Sequence, residues 1–309
     1  MAADDRLLAY EADELLADGS WADDPPDLGY ELGSAPIPAV LITGCSSGIG
    51  RATAHAFLDE EWRVYATARN PADVQQLGEA GCDIATLDVT EPDDVERVVG
   101  WVIEEEGRID ALVNNAGYGQ HGPLEDIEQD LFERQFDVNV FGPHRLVREV
   151  LPHMRAREDG TIVNVSSVAG RLAAPGMGAY SASKHAVEGY SDALRLEVEP
   201  FGVDVSVVQP GPVETSFRDR VDDEIGRLGR TEAYGDIYEF QEDASLFGAD
   251  SPVAVAPAAV AEAIVEASVS PDPEPRYVVG VVAQLLLYAS YLPDPIRDRV
   301  FGAVRTFTS

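Results

Sequence analysis

From residue 38 onward the chain alternates two hydrophobic patterns. Short apolar, β-branched runs occupy 39–43 (AVLIT), 63–68 (RVYATA), 83–89 (DIATLDV), 111–116 (ALVNNA), 161–167 (TIVNVSS), 203–209 (VDVSVVQ) and 276–280 (RYVVG). Near-continuous apolar runs of that length suit strands covered on both faces. Between them lie longer segments that predict helices over 48–60, 92–106, 130–157, 179–199 and 257–268. Strand and helix in regular alternation predict an α/β fold: a Rossmann-type, doubly wound, parallel seven-stranded sheet forming a single domain over 38–309.

Two segments depart from the rhythm. Residues 1–37 form an acidic N-terminal extension; 1–35 carry ten acids and one base and lead out through DDPPDLGYELGSAPIP. Leu7, Leu8, Leu15 and Leu16 could stripe a short helix ending at Gly19; the segment reads as a solvated or loosely docked extension, with a regulatory or interaction arm as the alternative. The second departure is 214–252, long, acidic and aromatic, with Tyr234, Tyr238, Phe240 and Phe247. Loops of that length in compact domains are usually functional. This one follows a strand's C-terminal end, where open sheets bind ligands, so it is expected to cover the substrate.

Charge narrows the range of partners. Fifty-six acidic residues against 22 basic ones give a formal net charge of −34. Such a field repels phosphate backbones and argues against nucleic acid. All the bases but one are arginine, and the single lysine is Lys184. An acid-rich, lysine-poor surface suits a cytoplasm of very high salt, where repulsion is screened within a few ångströms. Cys45 and Cys82 make neither a disulfide framework nor metal-ligand spacing, and no metal is expected. The N-terminus has acids where a secretion signal would have bases, and no apolar run is long enough to span a membrane. A cytoplasmic protein without membrane contact is therefore expected.

The chemistry begins at TGCSSGIG, Thr43 to Gly50, directly after the first predicted strand and opening a helix. Gly44, Gly48 and Gly50 permit a tight turn and let backbone amides approach a pyrophosphate at the helix N-terminus. The spacing T-G-x-x-x-G-I-G resembles the short-chain dehydrogenase/reductase family. Asn114-Asn115-Ala116-Gly117, Asn139, Ser167, Tyr180-x-x-x-Lys184 and Pro210-Gly211-Pro-Val-Glu-Thr215 follow in the family's order.

That resemblance implies an oxidoreductase acting on a carbonyl or secondary alcohol, with Ser167, Tyr180, Lys184 and Asn139 as catalytic residues. Tyr180 and Lys184, i and i+4 on one helix, share a face. The ammonium and a nicotinamide cation are expected to lower the tyrosine pKa for acid/base work. Ser167 would polarise the substrate oxygen, and Asn139 would hold a water relaying protons to Lys184. Ser46, Ser47, Gly48 and Ile49 would line the cofactor phosphates, Asp88 and Val89 the adenine, and Ala116 and Gly117 the ribose. Asn115 would tie the central strands together. Pro210, Gly211, Val213 and Thr215 would hold the nicotinamide carboxamide.

Where an NAD enzyme of this family carries an acid at the end of the second strand, this chain has Ala68 and then Arg69. A guanidinium welcomes a 2′-phosphate that a carboxylate repels, so NADP(H) is the expected cofactor. The text VYATARNP and RYVVG…YLPDPIRDRV is similar to hydroxysteroid- and retinol-dehydrogenase-like members, which implies an apolar small-molecule substrate. The family also implies a homodimer or homotetramer. Tyr118 and His121, following the fourth strand, are expected to line the substrate pocket. A non-catalytic NADP-binding regulator on the same fold is the alternative. A dehydratase or epimerase would need a larger substrate domain.

Overall fold

The computed structural model describes residues 36–242 and 253–299. The acidic extension, apart from its last two residues, and residues 243–252 of the long segment lie outside the described residues.

Seven strands form one parallel sheet: β1 (Ala39–Ile42), β2 (Arg63–Ala68), β3 (Asp83–Thr86), β4 (Ala111–Asn114), β5 (Gly160–Val165), β6 (Val203–Pro210) and β7 (Arg276–Val279). Their spatial order is β3-β2-β1-β4-β5-β6-β7. Val40 pairs with Val64 on one side and Ala111 on the other, so β1 is an interior strand next to the central β4. The alternation of the pleat divides the core. Ala39 and Leu41 of β1 face one layer with Tyr65, Leu112, Leu146, Met154, Ile162 and Leu194. Val40 and Ile42 face the other with Phe57, Val64, Val113, Val163, Val208 and Ile264. All four residues of β1 are fully buried, which accounts for its unbroken apolar text.

The helices cover the two faces: α1 (Gly48–Asp59), α2 (Gln75–Ala80), α3 (Pro92–Glu106), α4 (Gln129–Phe136), α5 (Gly142–Arg157), α6 (Gly178–Val198), α7 (Phe217–Gly226), α8 (Gly235–Glu242), α9 (Pro257–Val269) and α10 (Val281–Ser290). Pro92 and Pro257 each begin a helix, where a missing N–H costs nothing. The strand order reverses between β1 and β4, and that crevice is where doubly wound sheets take ligands.

One predicted element is corrected. The expected helix over 130–157 is two helices joined by a π turn, Asp137–Phe141. The extra residue of such a turn rotates Asn139 into the interior, where it is 2% exposed. The strands carrying the chemistry are also shorter than predicted. β5 stops at Val165, so Ser166 and Ser167 lie just past its end.

Candidate active site

The glycine loop runs from β1 into α1. Gly44 (φ +74°) and Gly48 (φ +55°) occupy the left-handed region that favours glycine. A Cβ at Gly50 would stand 2.4 Å from the Gly44 carbonyl and 2.5 Å from Asn115 Nδ2, so the loop folds onto its own helix only without a side chain there. Asn115 donates from Nδ2 to the carbonyls of Thr43 (2.9 Å) and Gly44 (3.1 Å). It thus ties the end of β4 to the loop after β1, while the neighbouring strands are joined by Asn114 Nδ2 donating to Asn164 Oδ1 at 2.9 Å.

The start of α1 has the features an anion requires. Ser47, its N-cap, makes no side-chain cap, and no acid stands in the first turn. Arg69 is exposed directly after the buried Ala68. Arg220 of α7 reaches back so that Nη2 donates to Ser47 Oγ at 3.3 Å. Burial and then the nearby Arg69 charge hold Arg220 below its ordinary pKa. Among the described residues neither arginine pairs with a carboxylate, in a chain with a surplus of 34 negative charges. Arg51 instead braces the loop from behind, donating to the Ser46 carbonyl (2.5 Å) and the Asp73 carbonyl (2.8 Å). These uncapped amides and unpaired guanidiniums fit a phosphorylated dinucleotide.

Asp88 and Val89 follow β3. The Asp88 carboxylate accepts from Thr90 N (3.0 Å) and Thr90 Oγ1 (2.7 Å), which fixes its orientation. The Val89 side chain is buried against Gly142, where a Cβ would come within 2.7 Å of it. After β6, Gly211 N donates to the Val279 carbonyl at 3.1 Å and Val213 bridges to Val255. Thr215 lies over the glycine loop: a Cβ at Gly48 would meet its methyl at 2.8 Å. Its hydroxyl accepts from Phe217 N at 3.2 Å and so starts α7.

Ser167, Tyr180 and Lys184 converge beside the end of β5. Tyr180 is 8% exposed, with its ring 5.6 Å from the His121 ring and 5.7 Å from that of Phe217. The Ser167 hydroxyl accepts from Ala169 N at 3.1 Å, and its side chain acts on the Tyr180 phenol to favour the phenolate. The tyrosine's own protein surroundings raise its pKa. Burial pushes it up to about 12, against the influence of Ser167. Lys184 Nζ stands 5.9 Å from the Tyr180 ring centroid and donates to the Val165 carbonyl at 2.8 Å. Burial lowers Lys184 to about 8, opposed by the Glu188 carboxylate one turn on. Glu188 is itself held by Gln209 Nε2 (2.8 Å) and Arg276 Nε (3.1 Å).

Asn139 does not face open space. Its Oδ1 accepts from Tyr118 N (3.1 Å), and Nδ2 donates to the Tyr118 carbonyl (3.0 Å) and Ser183 Oγ (3.2 Å). A Cβ at Gly117 would lie 3.2 Å from Asn139 Oδ1 and 3.8 Å from Lys184 Nζ. Gly117 therefore keeps the space between those two groups clear.

The long segment after β6 is largely helical. Val221 and Ile225 of α7, Leu228 of the following loop and Tyr238 of α8 pack on Ile127 and Ala179 as a small separate core. Asp126 fastens it, accepting from Thr231 N (3.1 Å) and Tyr238 Oη (2.6 Å). Phe217 and Gln241 of this segment reach the Tyr180 side of the pocket. Sequence reading overlooked Arg220 and Gln241. The Val221–Ile225 spacing was the available signal for α7, and nothing in the text aims Arg220 at a loop so far away in sequence.

Residues 38–226 match the short chain dehydrogenase family. The chain is 35% identical over 266 residues to the oxidoreductase YbbO of Escherichia coli, covering 85% of this chain and 93% of that one. It is 32% identical to an NADPH-dependent 3-dehydrocapnine reductase of Ornithobacterium rhinotracheale, covering 84% and 95%. The crystal structure of a short-chain dehydrogenase from Streptomyces avermitilis superposes with a TM-score of 0.74 at 33% identity, covering 88% and 99%. The chain belongs to the short-chain dehydrogenase family and is an oxidoreductase. Among the described residues no helix is long and apolar enough to cross a membrane, and no group of three or more His, Cys, Asp or Glu could hold a metal ion.

Proposed function

We propose that the chain is an NADP(H)-dependent ketone or aldehyde reductase, reversible as an alcohol dehydrogenase, with Tyr180 as general acid/base. The observation that carries this is the convergence of the buried Tyr180, Ser167 at the end of β5 and the buried Lys184 at the open end of the sheet. Ser46, Ser47, Gly48 and the first-turn amides of α1 would hold the pyrophosphate. Arg69 and Arg220 would hold the 2′-phosphate, Asp88 and Val89 the adenine end, and Ala116 and Gly117 the ribose. Pro210 to Thr215 would hold the nicotinamide carboxamide. The bound dinucleotide supplies or accepts the hydride at the carbonyl carbon.

Ser167 donates to the substrate oxygen and polarises the carbonyl. Tyr180, whose burial keeps it a phenol, hands its proton to that oxygen as negative charge develops there. Lys184, in its ammonium form, stabilises the phenolate left behind and turns toward the ribose. Asn139 clamps Tyr118 and holds the Ser183 hydroxyl, one residue before Lys184. Helices α7 and α8 serve as the substrate lid. The NADPH-dependent relative supports the cofactor assignment, and the unpaired Arg69–Arg220 couple supports it from this chain's own charges.

The test is a panel of ketones and aldehydes in molar KCl, following NADPH absorbance and then NADH. Oxidation of NADPH by some member, with NADH the poorer partner, is the expected result. Tight NADPH binding without turnover of any member would instead favour a binding-only regulator.

A further inference from the structure

His121 is 6% exposed and its ring lies beside that of Tyr180. Its Nδ1 is 3.1 Å from Gln241 Oε1. The Gln241 amide is oriented by Nε2 donating to the Pro175 carbonyl at 2.8 Å, so Oε1 is the accepting end. Nδ1 therefore carries the imidazole proton, and Nε2 is left with a lone pair. That nitrogen is buried and has no partner among the described residues. It lies next to Gly119, where a Cβ would stand 3.1 Å from it and 2.9 Å from Phe217 Cζ. The lone pair thus lies beside Gly119 and the Phe217 ring, on an imidazole whose ring neighbours that of Tyr180.

Burial keeps the ring an acceptor, lowering its pKa to about 4 against the Gln241 hydrogen bond, which raises it; Arg218, whose guanidinium bonds the Gln241 backbone carbonyl, adds a smaller lowering through its positive charge. The same charge disfavours an ammonium against Nε2 and leaves a neutral hydroxyl as the matching donor, although Asp222 pairs with Arg218 at 2.9 Å and screens part of it. Buried acceptors without a donor are costly, so a pocket built this way discriminates by what it leaves unpaired.

We propose that His121 is a specificity-determining residue, its Nε2 accepting a hydrogen bond from a hydroxyl close to the reacting carbonyl, so that the preferred substrates are hydroxyketones. This rests on the reading of Tyr180 as the reacting acid, which places the carbonyl beside His121.

Calorimetric binding to the NADP+-loaded protein, which has no hydride to give a ketone, tests it with isosteric pairs: α-hydroxyacetophenone against propiophenone, and β-hydroxypropiophenone against butyrophenone. α-Aminoacetophenone probes the ammonium. The expected result is that one hydroxyketone binds about tenfold to a hundredfold more tightly than its alkyl isostere, and that His121→Phe removes the difference. His121→Gln, which keeps an acceptor, should restore part of it. NADPH affinity and a far-UV circular dichroism spectrum matching those of the unaltered protein show that the variant is folded. Equal binding of both pairs to the unaltered protein would overturn the proposal, as would a preference that survives in His121→Phe or a stronger preference for the aminoketone. NADPH turnover measured in parallel separates the two readings: a binding preference without turnover of any ketone removes the reductase and leaves the His121 assignment standing.

Discussion

Replacing Lys184 by Met should make the protein more stable while removing its activity. The lysine is 7% exposed and burial lowers its pKa from the ordinary 10.5 to about 8. Each tenfold change in proton affinity is worth about 1.4 kcal/mol, so keeping the ammonium charged here costs roughly 3 kcal/mol at neutral pH. Methionine fills similar volume without that cost. The Val165 carbonyl then loses its donor at 2.8 Å, which returns about 1 kcal/mol of the gain. A net stabilisation of about 2 kcal/mol at pH near 7 follows. Its pH dependence is specific. Between about 8 and 10.5 the unfolded lysine is protonated and the folded one is not, so the unaltered protein gains stability as pH rises through that window. Below about 8 the whole penalty is present. The advantage of Lys184→Met should therefore be largest at neutral pH and shrink toward pH 10, read as urea midpoints at constant molar KCl. A variant less stable at neutral pH, or an advantage that does not change with pH, would refute the reasoning.

Two further outcomes follow from the charges. Arg69→Ala should weaken NADPH binding about tenfold and change NADH binding less than twofold, measured by fluorescence titration; the magnitude is that of one exposed, charge-assisted hydrogen bond. Equal loss for both cofactors would place Arg69 away from the 2′-phosphate. With a formal charge of −34, the thermal midpoint should climb from dilute buffer into molar KCl, as the screening length falls from about 10 Å to about 3 Å; a midpoint indifferent to salt would remove the high-salt interpretation.

All seven strands were legible: central runs such as Val40–Ile42 are fully buried and apolar throughout, and the edge strands β3 and β7, only partly buried, still stand out as short β-branched runs between helical segments. The break between α4 and α5 was not. A π turn keeps helical composition through Asp137–Phe141, and only the hydrogen-bonding geometry reveals it. Helices α7 and α8 were hidden for another reason: their apolar residues are few and dock on a small satellite core, so acidic surface dominates the text. At the site, motif spacing identified Ser167, Tyr180 and Lys184 as candidates, and the fold brings them together. It could not give the direction of the tyrosine shift. That depends on the rings of His121 and Phe217, which exclude water from Tyr180, and on Lys184 turning to the Val165 carbonyl. The lone lysine was visible as composition; its depressed pKa is a property of burial alone.

The central claim is that Tyr180 transfers the proton while other residues hold the cofactor. Tyr180→Phe tests it most directly, with NADPH affinity and turnover of a reduced ketone measured on the same preparation. The account predicts turnover lowered by at least about a thousandfold, the scale of losing the general acid, and a dissociation constant for NADPH within about twofold of the unaltered protein, since a ring-preserving change leaves the cofactor's holders in place. Turnover retained within about tenfold, with NADPH binding unchanged, would contradict it.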